Sequence, residues 1–220
     1  ALLVKLPKAI SYETGAAMML KGMTAQYLYR RTANLQKGHT ILFHAAAGGV
    51  GLIAMQWAKL LGVTAIGTVG SDEKAKLALA HGAAHVVNYN TEDLVARVKD
   101  ITNGRGVDVV YDSVGKATWE RSLQCLRKYG LMVSFGNASG KVAPVDLNQL
   151  NGHLFLTRPS LMPYTATRAE LEVTSGELIK HVVSGKIKIK IDQTYPLSEV
   201  VQAHTDLEAR KTTGCSVLIP

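Results

Sequence analysis

The sequence predicts an α/β protein built around a doubly wound parallel sheet. Between about residues 40 and 135, short apolar runs alternate with longer segments in which apolar residues return every three or four positions. That alternation is typical of parallel strands joined by crossover helices. A glycine-rich run, HAAAGGVG at residues 44–51, lies where the first strand should pass into the first helix. With 220 residues, of which 47% are hydrophobic, the chain can also bury a substantial core.

The predicted elements of the sheet follow one another at regular intervals. The strands, in chain order, are TILFHA, TAIGTV, AHVVNY, VDVVYDS and GLMVSF. The helices between them are LIAMQWAKLLG, DEKAKLALAHG, TEDLVARVKDIT and ATWERSLQCLRKY. We expect Asp72 and Thr91 to cap helix N-termini, and Gly62 and Gly82 to end helices. Five such strands with right-handed crossovers make one doubly wound sheet.

The segments on either side of this alternating region have a different pattern. Before it, TGAAMMLKGMTAQYLYRR predicts one helix. After Gly140 a looser segment contains three prolines, and a helix is expected near residues 168–184. The tail then predicts a short strand, the helix SEVVQAHTDLEAR and the strand CSVLIP.

Charge and cysteine usage narrow the class of protein. The net charge of +8 favours polyanions or phosphorylated ligands without selecting one. The one basic cluster, KIKIK at residues 186–190, predicts first a strand with one solvated face. The alternative is a nucleic-acid patch, but no aromatic stacking pattern or known nucleic-acid module accompanies it. Cys125 and Cys215 are far apart and form no CxxC pair, which fits a reducing compartment. We therefore expect a cytoplasmic protein.

The run HAAAGGVG has the features of a phosphate-binding turn. Aligned on the pattern G-x-G-x-x-G, it places Ala46 at the first glycine and keeps Gly48 and Gly51. A glycine at position 48 lets a pyrophosphate approach the backbone, and one at position 51 lets the helix pack closely on the sheet. The following helix would point its free N–H groups at the anion. We therefore predict a Rossmann dinucleotide-binding fold; the alternative is a tight turn without a ligand.

The end of the second predicted strand indicates which dinucleotide binds. NAD enzymes usually place Asp or Glu there to hold the ribose 2′-OH. Here Gly70 takes that place, leaving room for a 2′-phosphate that Ser71 can hydrogen-bond and Lys74 can neutralise. Asp72 and Glu73 argue for NADH, but residues that open a helix more often cap it and point outward. The pattern favours NADPH.

A series of motifs in fixed order carries a family resemblance. The motifs are AAAGGVG, GTVGSDEK, VVNYNTEDL, VDVVYDSVG, GLMVSFGNASG and LTRPSL. On them the chain resembles the zinc-independent quinone oxidoreductases of the medium-chain dehydrogenase/reductase superfamily, the relatives of zeta-crystallin, and in particular the bacterial NADPH:quinone oxidoreductases. The resemblance covers essentially the whole sequence. It adds the substrate class, which the spacing of the glycines does not give.

The resemblance implies further cofactor contacts. Gly49 and Val50 would lie with the other glycines of the turn beneath the pyrophosphate, and Tyr89 would join the 2′-phosphate corner. Tyr27 would reach the cofactor near its phosphates or the nicotinamide ribose. The remaining implied contacts are Ser113, Phe135, Gly136, Asn137, Ala138, Pro159, Ser160, Leu161 and Arg210. No catalytic residue is named, because the family's substrate-facing polar groups belong to an N-terminal GroES-like domain that this sequence does not contain.

The resemblance also implies an activity and a domain organisation. NADPH would reduce a quinone by hydride or electron transfer without a metal, in a homodimer that pairs the segment GHLFLTRPS across a two-fold axis. Residues 1–13 would be a remnant of the N-terminal catalytic domain, residues 14–162 the Rossmann domain, and residues 163–220 a C-terminal segment returning to the catalytic domain. We expect the sequence to be the cofactor-binding part of a longer enzyme, inactive by itself.

Two other functions stay open at this stage. The acceptor could be an enone or an enoyl thioester, because a hydride added to a conjugated alkene needs the same cofactor cleft. The chain could instead be a non-enzymatic module, crystallin-like or RNA-binding, and a charge of +8 would help with RNA. His44 and His85 invite an acid/base role, but each flanks a buried strand, and we expect both to be structural.

Overall fold

The computed structural model describes residues 3–209 and 211–220. Its sheet strands are β1 (Thr40–Phe43), β2 (Thr64–Val69), β3 (His85–Asn88), β4 (Val107–Asp112), β5 (Leu126–Ser134) and β6 (Phe155–Thr157). The helices are α1 (Tyr12–Tyr27), α2 (Gly49–Leu61), α3 (Asp72–Ala80), α4 (Leu94–Ile101), α5 (Trp119–Cys125), α6 (Arg168–Val183) and α7 (Val200–Glu208). Two further strands, β7 (Gln193–Pro196) and β8 (Ser216–Ile219), form a separate parallel pair.

The six-stranded sheet has the order β3-β2-β1-β4-β5-β6, and every pair in it is parallel. The predicted doubly wound parallel sheet is therefore confirmed, with β6 added to the five predicted strands. The order reverses between β1 and β4, which is the switch point where ligands bind in such sheets. The strand order therefore predicts a ligand site at the carboxyl ends of β1 and β4.

The central strands β1, β2 and β4 are buried on both faces, as parallel strands with helices on each side require. Ile41 and Phe43 of β1 belong to the larger hydrophobic cluster, whereas Leu42 between them belongs to the second cluster. Alternate residues of one strand therefore fill two cores, one on each side of the sheet. Trp57 and Tyr29 are among the largest fully buried side chains of the larger core.

The helix ends follow the sequence in part. Gly62 adopts φ +69° directly after α2, and Gly82 adopts φ +102° two residues after α3, so both end helices as predicted. The predicted N-caps Asp72 and Thr91 are wrong, because a cap must be the extended residue just before the helix. Ser71 holds that place for α3 and accepts from the Lys74 amide at 3.3 Å. Asp93 holds it for α4.

Two predicted elements take another form. The helix expected to continue to residue 129 ends at Cys125, and Leu126 already pairs with Val107 in the sheet. A register shift follows, with Tyr129 in the left-handed region at φ +62°.

KIKIK is not a strand, although its isoleucines do point inward and Ile187 is buried. The side chain of Gln56 takes the place of a neighbouring strand. Its Oε1 accepts from the Lys188 amide at 2.8 Å, and its Nε2 donates to the Lys188 carbonyl at 3.0 Å. The alternation of Lys and Ile therefore predicts correctly which side chains are buried. The backbone hydrogen bonds of Lys188, however, are made by a side chain of α2 and not by a neighbouring strand.

The C-terminal region folds back onto the start of the chain. Gln26 of α1 donates to Glu177 of α6 at 2.9 Å, and Leu178 packs where a side chain at Gly22 would lie. The chain then reaches the glycine turn, where Gly214 bridges Gly48 and donates to the Ala47 carbonyl at 3.0 Å. The tail therefore forms one wall of the region at the carboxyl end of β1.

Candidate functional site

A cleft of about 420 Å³ opens at the carboxyl ends of β1 to β4. This volume falls in the range of sites for small molecules and cofactors. The residues that line it come from six separate stretches of chain, whose first lining residues are His44, Thr68, Tyr89, Val114, Ala138 and Leu207. The cleft lies at the switch point of the sheet, where the fold predicts a ligand.

The glycine turn forms the floor of the cleft. Gly51 must be glycine, because a Cβ there would lie 2.5 Å from the carbonyl oxygens of both Ala45 and Ala46. This close contact agrees with the packing role predicted for Gly51. Position 49 needs a glycine for a different reason. A Cβ added there would lie 2.6 Å from the aliphatic part of the Lys21 side chain and 2.9 Å from the Gly214 carbonyl oxygen.

The start of α2 presents backbone donors to the cleft. The first intrahelical bond is donated by Leu52 to the Gly48 carbonyl at 2.9 Å. The amides of Gly49, Val50 and Gly51 come before that bond, so helix geometry gives them no acceptor within α2. Together with the positive end of the helix dipole, they make this corner suitable for a phosphate group.

A second corner lies at the end of β2. A Cβ at Gly70 would lie 2.5 Å from the Tyr89 hydroxyl, so the absent side chain is what lets that ring lie here. Asn90 fixes the loop by donating to the Gly70 carbonyl at 2.8 Å. Lys74 lines the same part of the cleft from the first turn of α3. Ser71 lies at the N-cap, where its oxygen is already an acceptor for the Lys74 amide.

A buried polar chain runs beneath this floor, starting at His44. Its Nδ1 lies 3.0 Å from Thr68 Oγ1, and its Nε2 lies 2.9 Å from Ser122 Oγ. Ser122 donates its single proton to Asp112 at 2.9 Å, so it must accept from His44 Nε2–H. His44 therefore carries its proton on Nε2 and accepts from Thr68 on Nδ1.

This chain keeps His44 neutral. Burial lowers the pKa of His44, because desolvation disfavours the imidazolium, and the nearby Asp112 carboxylate opposes that shift. Asp112 is itself fully satisfied, since its second oxygen accepts from the amides of Val114 and Gly115 at 2.8 and 2.9 Å. The arrangement supports the structural role predicted for His44.

The residues expected around the nicotinamide follow the ends of β4 and β5. Gly136 packs directly on Ser113, whose carbonyl would lie 2.5 Å from a Cβ at position 136. Ala138 donates to the same carbonyl at 3.1 Å, and Phe135 packs on Phe43 with ring centroids 5.8 Å apart. Of this group the cleft lining includes Ala138.

Tyr27 lies away from the cleft lining. Its ring stacks on Tyr164 with centroids 4.6 Å apart, and burial raises its pKa to about 12. Pro159 is buried at the end of β6, beside an exposed Ser160. Arg210, the last predicted contact, lies outside the described residues.

The structure thus divides the predicted site residues into two groups. Those that line the cleft are Gly48, Gly49, Gly70, Lys74, Tyr89 and Ala138. Those that are described but do not line it are Tyr27, Val50, Gly51, Ser71, Ser113, Phe135, Gly136, Asn137, Pro159, Ser160 and Leu161. The roles of both groups in binding a cofactor stay predictions.

Sequence reasoning missed one side of the cleft. Thr212, Thr213 and Gly214 line it from the tail, next to the predicted contact Arg210. Their signal in the sequence is a Thr-Thr-Gly stretch just after the last predicted helix, which carries no pattern of its own. Further lining comes from Leu94, Val114, Ala117, Thr118 and Arg121.

Residues 3–209 and 211–220 contain neither a candidate metal-ion cluster nor a candidate membrane-spanning helix. Within these ranges no group of three or more His, Cys, Asp and Glu side chains is arranged to hold a metal ion. None of the helices described there combines the length and the apolar character that a membrane span needs.

Known proteins are similar to this chain in sequence and in structure, and the similarity extends over 98–99% of its length. A family model described as zinc-binding dehydrogenase matches residues 49–174. The chain is 56% identical over 219 residues to quinone oxidoreductase 1 of Escherichia coli (strain K12), covering 98% of this chain and 67% of that protein. It is 44% identical over 223 residues to 2-haloacrylate reductase of a Burkholderia species, covering 99% of this chain and 67% of that protein. The crystal structure of Escherichia coli quinone oxidoreductase complexed with NADPH superposes with a TM-score of 0.97 at 56% identity, covering 99% of this chain and 68% of that one.

Proposed function

Because the chain belongs to the quinone oxidoreductases of the medium-chain dehydrogenase/reductase superfamily, we propose that it is the cofactor-binding part of an NADPH-dependent quinone reductase. The observation that carries this proposal is the corner at the end of β2. There Gly70, Lys74 and Tyr89 meet without the acidic side chain that holds a ribose 2′-OH. The chain spans about two thirds of the length of the relatives it matches.

The described residues fit NADPH at two places. The amides that open α2 would hold the pyrophosphate above Gly48 and Gly49. Lys74 and the Tyr89 hydroxyl would hold the 2′-phosphate in the corner that Gly70 leaves open. The apolar side chains of Leu94 and Val114 line the same cleft and would offer an adenine apolar contacts.

Bound NADPH would supply the reducing hydride. The chain would orient the cofactor and exclude water from it. The polar chain under the floor, from Thr68 through His44 to Asp112, fixes the strand ends that carry the turn. The close packing of Gly136 on Ser113 fixes the loop on the nicotinamide side. We assign no residue of this chain a proton-transfer role.

The proposed activity is tested by following NADPH consumption with a panel of acceptors. With the full-length enzyme, p-benzoquinone should oxidise NADPH at least tenfold faster than NADH at equal concentrations. Loss of this preference, or the absence of quinone-dependent oxidation of either nucleotide, would overturn the proposal.

A second acceptor class is favoured by one relative. The 2-haloacrylate reductase is 44% identical, and its name describes reduction of a conjugated acid. The cofactor cleft would be the same for both acceptors, so the difference must lie in the groups that face the substrate. Including 2-chloroacrylate in the panel separates the two: turnover of this acid above that of the quinone would favour the second candidate.

Assembly and location extend the proposal. We propose a homodimer through the free edge of β6, where Phe155 and Leu156 are 60% and 41% exposed. Edges of this kind tend to pair with another strand.

Cys125 and Cys215 are both free thiols, which supports a cytoplasmic location. RNA binding stays the less favoured alternative.

A further inference from the structure

A lysine and a cysteine meet behind the glycine turn. Lys21 lies on the face of α1 that covers the turn, with its stem over Gly49. Its Nζ lies 2.6 Å from Sγ of Cys215, which is 4% exposed and follows Gly214 in the tail. The two residues are 194 positions apart in the sequence, so the contact joins the beginning of the described chain to its end.

The distance between the two atoms is short for a hydrogen bond to sulfur. Even an N–H···O bond between two smaller atoms is usually about 2.9 Å long. Nitrogen and sulfur at 2.6 Å are therefore closer than a noncovalent contact prefers, and one bridging atom would suit the separation. A small cavity of about 10 Å³ lies beside Cys215, lined also by Gly49 and Gly214, among others. A space of that size is at the lower limit for a single water molecule.

We propose that Lys21 and Cys215 form a redox-sensitive pair that oxidation converts into an oxygen-bridged cross-link, Nζ–O–Sγ. The oxidant is hydrogen peroxide. An S–H bond, an N–H bond and the O–O bonds of two peroxide molecules break, while an S–O bond, an N–O bond and the O–H bonds of water form. Sulfur and nitrogen each lose two electrons, which two peroxide molecules accept. One peroxide oxygen becomes the bridge and the other three leave as water, carrying away the two displaced hydrogens.

The surroundings favour this chemistry at Cys215 over the other thiol. The cross-link needs an amine nitrogen beside the thiol that is oxidised. Cys215 has Lys21 in contact, whereas burial raises the pKa of Cys125 to about 12. The cross-link would tie α1 to the tail at the point where Gly214 bridges Gly48. Oxidation would then hold the tail against the turn, and reduction would release it.

The test is intact-mass and peptide mass spectrometry of the purified full-length protein before and after peroxide, with excess dithiothreitol as the reverse step. The expected product gains one oxygen and loses two hydrogens, joins the peptides that contain Lys21 and Cys215, and is undone by dithiothreitol. Because the link closes a very long loop, the oxidised protein should also unfold at a temperature higher by roughly 5 °C or more.

Two variants separate the cross-link from ordinary thiol oxidation. Lys21→Arg keeps the positive charge and should abolish the linked peptide, while the matched control Cys125→Ala should leave it unchanged. The mass readout on the unaltered protein stands even if a variant folds poorly. No linked peptide after peroxide, gain of oxygen without loss of two hydrogens, or the same product in Lys21→Arg would overturn the proposal. None of these readouts depends on NADPH.

Discussion

At the scale of single residues, the turn after β1 shows where the sequence pattern and the backbone differ. The glycine pattern places the replaced first glycine at Ala46, yet the left-handed residue is Ala45, with φ +55°. Ala46 instead places its methyl group against Gly67, where a Cβ would approach it to 2.5 Å. A left-handed alanine costs about 1 kcal/mol. A motif therefore locates a turn correctly while leaving its strained residue uncertain by one position.

His44 gives a prediction at the residue scale. Because burial lowers its pKa in the folded state, the unfolded chain binds an additional proton as the pH falls below about 6.5. The stabilising effect is thus present above that pH and is lost as the pH falls toward the folded-state value. The free energy of unfolding should decrease by at most about 1.4 kcal/mol per pH unit for this group.

Chemical denaturation between pH 7.5 and 5 measures this decrease. His44→Gln should be less stable at pH 7.5 and show a flatter pH dependence. The pKa of His181 is also lowered by burial, so some dependence should remain in the variant. The exposed His204→Gln serves as the control. An unchanged slope in His44→Gln would show that this histidine is not held neutral by the fold.

At the scale of elements, the local sequence pattern predicts that a helix or strand is present better than it predicts the residue at which that element ends. The α5 pattern continues to residue 129, but Arg127 reaches Asp108 on β4 at 2.6 Å and Leu126 pairs with Val107. KIKIK has the period of a strand, but Gln56 satisfies its backbone. In both cases the deciding partner is distant in sequence, so no window of local residues contains the answer.

Two helical glycines give a matched prediction at this scale. Gly51→Ala brings a Cβ to 2.5 Å from two backbone oxygens and should destabilise the fold by about 1–3 kcal/mol. Gly176→Ala in α6 meets nothing within 4 Å and should stabilise it by about 0.5–1 kcal/mol. Urea unfolding of both variants measures the difference. A neutral Gly51→Ala would contradict the tight packing of α2 on the turn.

At the scale of the whole molecule, the six strands leave β6 as an edge. β6 pairs with β5 on one side, and Phe155 presents a large apolar side chain that is 60% exposed. If this edge pairs with a second copy, Phe155→Lys should convert a dimer into a monomer, because a charged edge residue opposes pairing. Light scattering coupled to gel filtration measures the mass. Leu147→Lys, at an exposed position outside the strands, should leave the mass unchanged.

The cleft could be predicted from sequence wherever one stretch of chain carries the chemistry. HAAAGGVG and the acid-free end of β2 predicted Gly48, Gly70 and Lys74, which line the cleft. The wall formed by Thr212 to Gly214 could not be predicted in this way. It depends on a tail that crosses the molecule to bridge Gly48, and nothing local in the tail records that contact.

The measurement that tests the central claim most directly is calorimetric titration of the purified protein with NADPH and with NADH. NADPH should bind more tightly than NADH. Lys74→Ala should weaken NADPH binding about tenfold or more, a loss of about 1.4 kcal/mol, and change NADH binding little. Lys76→Ala, on the exposed side of α3, should change neither. Equal affinity for the two nucleotides, or an equal loss in both lysine variants, would contradict a 2′-phosphate site at the end of β2.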